Sequence, residues 1–240
     1  MPFRRPALPF NRNRRRLAIA AGAALAALGL GACQERRPMT YASVADSGVD
    51  PSVRAHYASF QDDGYTVPAI NTRRYNRRFL RQVVSYDGEK QPGSIVVDTP
   101  NRFLYFITGN NRAIRYGIGV GRDGFRWGGV AKVGRKAPWP TWTPPKDMIA
   151  RDPEAAKYAS GMPGGVRNPL GARALYLYRN GRDTLFRIHG TNEPSTIGTA
   201  VSSGCIRMLN QDVIDLYSRV KTGAKVTVLQ NRSVAMADLR

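Results

Sequence analysis

From Ser94 to Leu229 the chain is a succession of short apolar runs cut by Gly, Asn and Pro, and this pattern constrains the fold most. Ser94–Thr99 (SIVVDT) and Arg102–Thr108 (RFLYFIT) are β-branched and aromatic, and Pro100-Asn101 separates them as a hairpin turn. Gly109-Asn110-Asn111 marks a second turn before Ala113–Val120. Ala172–Arg179 (ARALYLYR) alternates with period two, which predicts one buried and one half-wet face. Asn180-Gly181 is a strong hairpin signal, Thr184–His189 is the returning strand, and Ala224–Leu229 is a last strand. Two helices interrupt. Pro145–Tyr158 is helical in part and broken at Pro153. Asn210–Val220 carries the apolar stripe Val213, Ile214, Leu216, Tyr217 and Val220, with Asn210 as its cap and Gly223 as a stop. The expected fold is mainly β, a sandwich or barrel-like domain over residues 92–230, followed by a tail at 231–240.

What precedes this domain differs in texture. Residues 1–16 hold Arg4, Arg5, Arg12, Arg14, Arg15 and Arg16 with no acid, and Leu17–Leu30 is an uninterrupted run of Ala, Leu, Ile and Gly. A basic stretch before a short apolar one predicts an export signal rather than a helix of the domain. Leu30-Gly31-Ala32-Cys33 looks like a bacterial lipobox, so residues 1–33 are read as a signal and lipobox segment. Lipidation at Cys33 would anchor the chain to a membrane; ordinary cleavage nearby, or an uncleaved anchor, is the alternative. Residues 34–91 are polar and Arg-rich, and read as a tether with one short helix around Arg74–Val84, His56 being an ordinary tether residue.

The chain has 37 Lys and Arg against 17 Asp and Glu, a net charge of +20. Removing the signal segment leaves 31 basic residues, so the excess persists and favours an anionic partner. Export argues for envelope polymer rather than nucleic acid. Cys33, His56, His189 and Cys205 are scattered without ligand spacing, so neither a zinc site nor a disulfide scaffold is expected. Gly119–Gly124 matches G-x-G-x-x-G, but Phe125-Arg126-Trp127-Gly128-Gly129 is no helix former, so a dinucleotide site is rejected.

Chemistry concentrates between Arg187 and Met208. A thiol with an ordinary pKa near ~8.5 is only slightly ionised at neutral pH and needs a base. Cys205 is the one thiol left after the signal segment, and His189 is the only imidazole of the predicted domain. With Phe186 and Ile188 on the core face, His189 is expected to face solvent. Gly204 would let the backbone turn tightly and free N–H groups for an oxyanion. A structural Cys and His remain the alternative on spacing alone.

His189-Gly190-Thr191, followed by Ser202-Ser203-Gly204-Cys205-Ile206-Arg207-Met208, resembles the signature of the L,D-transpeptidases with a YkuD-type catalytic domain. Asn168-Pro169-Leu170-Gly171 matches a further family element, and Trp139–Pro145 resembles the loop that precedes it. Where many members have His before the Gly-Cys pair, this chain has Ser203. The resemblance implies peptidoglycan remodelling: Cys205 as nucleophile, His189 as base and the Gly190 carbonyl as its orienting group. Backbone N–H groups around Ser203, Gly204 and Cys205 would form the oxyanion hole. Arg207 and Trp142 are candidate substrate contacts, with structural pairing and core packing as their alternatives. No metal or organic cofactor is implied. The implied partner is the peptidoglycan peptide stem, met by a periplasmic monomer.

Overall fold

The computed structural model of the chain describes residues 50–89, 91–121, 128–201 and 205–230. The predicted hairpins form. Strand β4 (Ile95–Asp98) pairs antiparallel with β5 (Phe103–Gly109), and β5 pairs with β6 (Arg112–Gly117) across Asn110 and Asn111, both at positive φ. Strands β9 (Arg173–Arg179) and β10 (Arg182–His189) join through Asn180 and Gly181, at φ 51° and 76°, the left-handed pair a tight hairpin demands. A long strand the sequence reading missed, β8 (Gly129–Pro138), lies between β9 and the last strand, β13 (Lys225–Leu229). Three short strands complete one edge: β7 (Gly119–Gly121), β11 (Ala200–Val201) and β12 (Ile206–Arg207).

The strand order explains why the sheet must roll. It runs β11-β7-β12-β10-β9-β8-β13-β4-β5-β6, and then β3 (Gln82–Ser85). Strands β6 and β7 are separated by Ile118 alone, yet stand near opposite ends of that order. One residue cannot span a flat sheet of this width, so the ends curl toward each other. Alternate residues then line one interior. Registered pairs carry the core around it: Val120 with Ile206, Ile206 with Ile188, Ile188 with Leu175, Leu177 with Val133, Ala131 with Val226, Val226 with Ile95 and Ile95 with Phe106. Helix α4 (Asn210–Arg219) closes the interior with Val213 and Leu216. Lys136 of β8 donates to the carbonyls of Tyr217 and Val220, at 2.7 and 2.6 Å, where the helix leaves acceptors unsatisfied. The split helix also forms, as α2 (Lys146–Arg151) and α3 (Pro153–Ala156), with Asp152 capping the second and Pro153 in its first turn.

Several expectations need correction. Strand β9 is buried on both faces over most of its length. Its outer Tyr176 lies under the guanidinium groups of Arg135 and Arg187, 3.5 and 4.5 Å from the ring centroid, so arginine stems cover what alternation assigned to water. Asn210 is not the cap of α4; Leu209 holds that place, and the Asn210 amide is engaged elsewhere.

Residues 50–89 are not a tether. They form helix α1 (Pro51–His56), the hairpin β1 (Phe60–Asp62) and β2 (Tyr65–Val67), two single 3-10 turns at 72–74 and 77–79, and β3, which pairs with β6. No α-helix forms around Arg74–Val84: the turns at Thr72–Arg74 and Arg77–Phe79 end in extended residues. The cause is burial at widely spaced points. Tyr57, Val67 and Leu80 are almost wholly enclosed, and Tyr57 and Leu80 pack with Ile197 and Leu209. His56 is not an ordinary linker residue, because its Nε2 lies 3.0 Å from the enclosed Asp212 of α4. Arg173, also buried, forms a fork with both oxygens of Asp62 at 2.7 Å, and the Trp139 indole donates to the same carboxylate at 2.8 Å. The signal and lipobox readings, Cys33 included, lie outside the described residues. Among the described residues no helix is long and apolar enough to cross a membrane.

Removing Asp62 would leave the buried Arg173 guanidinium with the Ala172 carbonyl at 2.8 Å and the exposed Asp63 carboxylate at 3.6 Å. Asp62→Ala is expected to lower stability by about 3 kcal/mol in urea denaturation. An unchanged midpoint would mean that the Asp62–Arg173 fork contributes nothing to stability.

Candidate active site

The site is built where β10 and β12 run side by side in parallel, with Ile188 opposite Ile206 and His189 opposite Arg207. Ile188 and Ile206 face the core, so His189, Arg207 and Arg187 take the other face of the sheet. Cys205 directly precedes β12, two residues before the Arg207 that stands opposite His189. Strand β7 bonds to the chain at Thr199 and at Cys205 from the other side. The Gly121 N–H donates to the Cys205 carbonyl at 3.2 Å, and the Val120 N–H to Thr199 at 3.3 Å. On the far side of β10, His189 faces Ala174, whose small side chain leaves room for the ring.

His189 is 3% exposed, so the expected solvent-facing imidazole is corrected to an enclosed one. The ring sits at the inner end of β10, flanked by β9 and β12, and its neighbours cover it. Its Nδ1 lies 2.6 Å from the Gly190 carbonyl. A carbonyl only accepts, so Nδ1 carries the proton and Nε2 keeps its lone pair. Burial pushes the imidazole's pKa down to about 4; the Gly190 bond opposes this, and the positive charges of Arg207 and Arg187 add to the depression. At neutral pH His189 is therefore an uncharged base. Cys205 is half-buried and forms no disulfide.

Gly190 and Gly171 are required as glycines. A Cβ on either would stand 2.2 or 2.3 Å from Asn210 Oδ1. That oxygen accepts from the Ala172 N–H at 3.0 Å and the Thr191 N–H at 3.3 Å, while Nδ2 donates to the Thr191 carbonyl at 3.0 Å. Asn210 thus joins the starts of β9 and of the loop after β10. A second asparagine, the fully buried Asn168, donates to the carbonyls of Pro140, Met162 and Pro163 and accepts from the Leu170 N–H. It fixes the loop on which Trp142 sits, bridged to Met162 by two backbone hydrogen bonds. Sequence reasoning missed both roles. Asn at a helix start reads as a cap, and Asn168 carried only a motif match.

Of the other predicted residues, Arg207 donates to Glu193 at 2.8 Å, which gives its guanidinium a resting carboxylate partner. Trp139 packs as a core residue against Val67 and Ala172, and Trp142 is half-buried. Ser203 and Gly204 lie outside the described residues. The G-x-G-x-x-G stretch opens with β7, a strand rather than a helix start; residues 122–127 are outside the described residues. Among the described residues no cluster of three His, Cys, Asp or Glu is placed to hold a metal.

The family model described as the L,D-transpeptidase catalytic domain, YkuD, matches residues 92–228. The chain belongs to the YkuD family. Within it, the chain is 37% identical over 139 residues to the probable L,D-transpeptidase YbiS of Escherichia coli, covering 56% of this chain and 43% of that protein. It is 31% identical over 195 residues to the probable L,D-transpeptidase YcfS of the same organism, covering 70% and 60%. A solved Brucella melitensis chain, titled a probable carnitine operon oxidoreductase, is 46% identical, covers 66% of this chain and 99% of its own, and superposes with a TM-score of 0.46. The chain spans about half the length of the curated relatives it matches. Residues 50–89, which complete the sheet and brace α4, precede the family match.

The depressed His189 pKa predicts a pH dependence of stability. The unfolded imidazole takes up its proton near its ordinary value of ~6.5 and the folded one only near 4, so the contribution is full above about pH 6.5 and lost as pH falls toward 4. It amounts to something on the order of 3 kcal/mol. His189→Gln should flatten that part of the acid decline in denaturation midpoints measured between pH 7 and 4.5. Equal declines in both proteins would contradict the assignment.

Proposed function

We propose that the chain is an exported peptidoglycan L,D-transpeptidase that works through a thioester on Cys205. One observation supports the reading: β10 pairs in parallel with β12, so that His189, whose Nδ1 lies 2.6 Å from the Gly190 carbonyl, stands opposite Arg207, two residues past Cys205. His189 Nε2 takes the Cys205 proton as the sulfur attacks the carbonyl at the L-centre of a diaminoacid in a donor tetrapeptide stem. The C–S bond forms, the amide C–N bond breaks, and the proton passes to the departing D-Ala amine. An acceptor-stem amine then attacks the thioester, gives up a proton to His189 and releases the thiol, leaving a direct diaminoacid-to-diaminoacid crosslink. Backbone N–H groups around Ser203, Gly204 and Cys205 would hold the oxyanion. Arg207 would take a stem carboxylate in place of Glu193, which is well exposed and free to swing away. Trp142 would contribute to the substrate cleft. Export, with or without a lipid on Cys33, brings the basic chain to an anionic envelope and its peptide stems.

Purified protein incubated with tetrapeptide muropeptides should yield crosslinked dimers and free D-Ala by mass spectrometry, and Cys205→Ala should yield neither. A lysine-terminated peptide added as a competing acceptor, and the tripeptide formed with water, report which nucleophile resolves the thioester. Dimer formation by Cys205→Ala would overturn the mechanism. Arg207→Ala should raise KM for the donor stem about tenfold, with a smaller effect on kcat.

A further inference from the structure

We infer that Asn210 is a positioning residue for His189, acting through one peptide plane. The inference rests on the reading of His189 as the base. The carbonyl that holds the His189 Nδ1–H belongs to Gly190, and the N–H on the other side of that same rigid peptide unit belongs to Thr191. Asn210 Oδ1 accepts from that N–H at 3.3 Å. The unit cannot turn its carbonyl away from the imidazole without breaking the bond to Asn210. Two further bonds deny it translation: Nδ2 donates to the next carbonyl, Thr191, at 3.0 Å, and Oδ1 also accepts from Ala172, at 3.0 Å, on the neighbouring chain segment. The Gly190 N–H, which donates to the Arg173 carbonyl at 3.0 Å, completes the clamp.

The packing around this amide is tight. Side chains at Gly171 or Gly190 would strike Oδ1, so the two glycines and the asparagine form one fitted set. The bonds also form a chain, Asn210 Oδ1 to Thr191 N–H and Gly190 C=O to His189 Nδ1–H, in which each polarises the next. Asn210 does not touch the reacting atoms. It fixes which tautomer His189 holds and where Nε2 points, and so governs the rate of proton transfer rather than the affinity for substrate.

Full-length Asn210→Ala and Asn210→Asp should slow carbapenem acylation of Cys205 by about 10- to 100-fold, with the drug concentration at half-saturation changed less than about threefold. The aspartate keeps the shape and the two accepted bonds but sets a carboxylate oxygen against the Thr191 carbonyl. Loosening the clamp admits water to the ring, so the acid limb of the rate–pH profile should move up from about 4 toward the ordinary histidine range. A merely structural loss would scale the rate equally at every pH. If Asn210→Ala does not fold, Asn210→Asp decides alone, and the Nδ1–H proton resonance of His189 should shift between it and the wild type. Wild-type rates, pH profile and resonance in a folded Asn210 variant would overturn the inference. His189→Gln is run alongside. If it still acylates, the base assignment itself fails; if it is dead while the Asn210 variants match wild type, only the clamp fails.

Discussion

The peptide between Gly190 and Thr191 is gripped on both sides: its carbonyl accepts from His189 Nδ1 at 2.6 Å and its N–H donates to Asn210 at 3.3 Å. Burial pushes the pKa of this imidazole down to about 4. Solvent cannot hold the ring's orientation in so dry a place, so the backbone must. The rolled sheet supplies that backbone. Strand β10 enters between β9 and β12, β7 stitches the return loop to the thiol's segment, and α4 delivers Asn210 against both chain ends. Three sequence motifs that lie far apart in the chain thus meet at one amide.

The segment ahead of the family domain contributes to this by bracing α4. The enclosed Asp212 receives His56 at 3.0 Å and the Tyr57 hydroxyl at 2.9 Å, and Tyr57 in turn accepts from the Arg81 N–H at 2.7 Å. One turn on, burial alone would raise the pKa of Asp215, but bonds from Arg219, Tyr116 and Arg81 outweigh it and hold the carboxylate at about 2. Helix α4 is short and carries no side-chain cap of its own, so these ion pairs and its packed face fix its position. Any tilt of the helix would be felt at Asn210, its first residue.

Legibility in the sequence followed local signals. The hairpins were readable because Asn-Gly and Asn-Asn turns fall between alternating runs, and Cys205 and His189 stood out as candidates because the domain's sequence offers one thiol and one imidazole. Strand β8 was hidden by Lys132, Arg135 and a bulge at Gly134, where the Tyr178 ring takes the space of a side chain. Residues 50–89 were misread because their anchors, Tyr57, Val67 and Leu80, are single apolar residues ten or more positions apart and make no period. The exposure of His189 was misjudged for a related reason. Alternation tells which face a side chain takes but not what covers that face, and here His189 is enclosed between β9 and β12.

In the proposed mechanism a neutral, buried His189 activates Cys205. Intact-mass measurement of carbapenem adduct formation on wild-type protein from pH 4 to 8 tests it directly. One adduct per chain, located on Cys205, is expected, with the rate showing no histidine limb near pH 6.5 and falling only as pH drops below about 5, with a midpoint near 4. No adduct, or a rate that halves near pH 6.5, would contradict it.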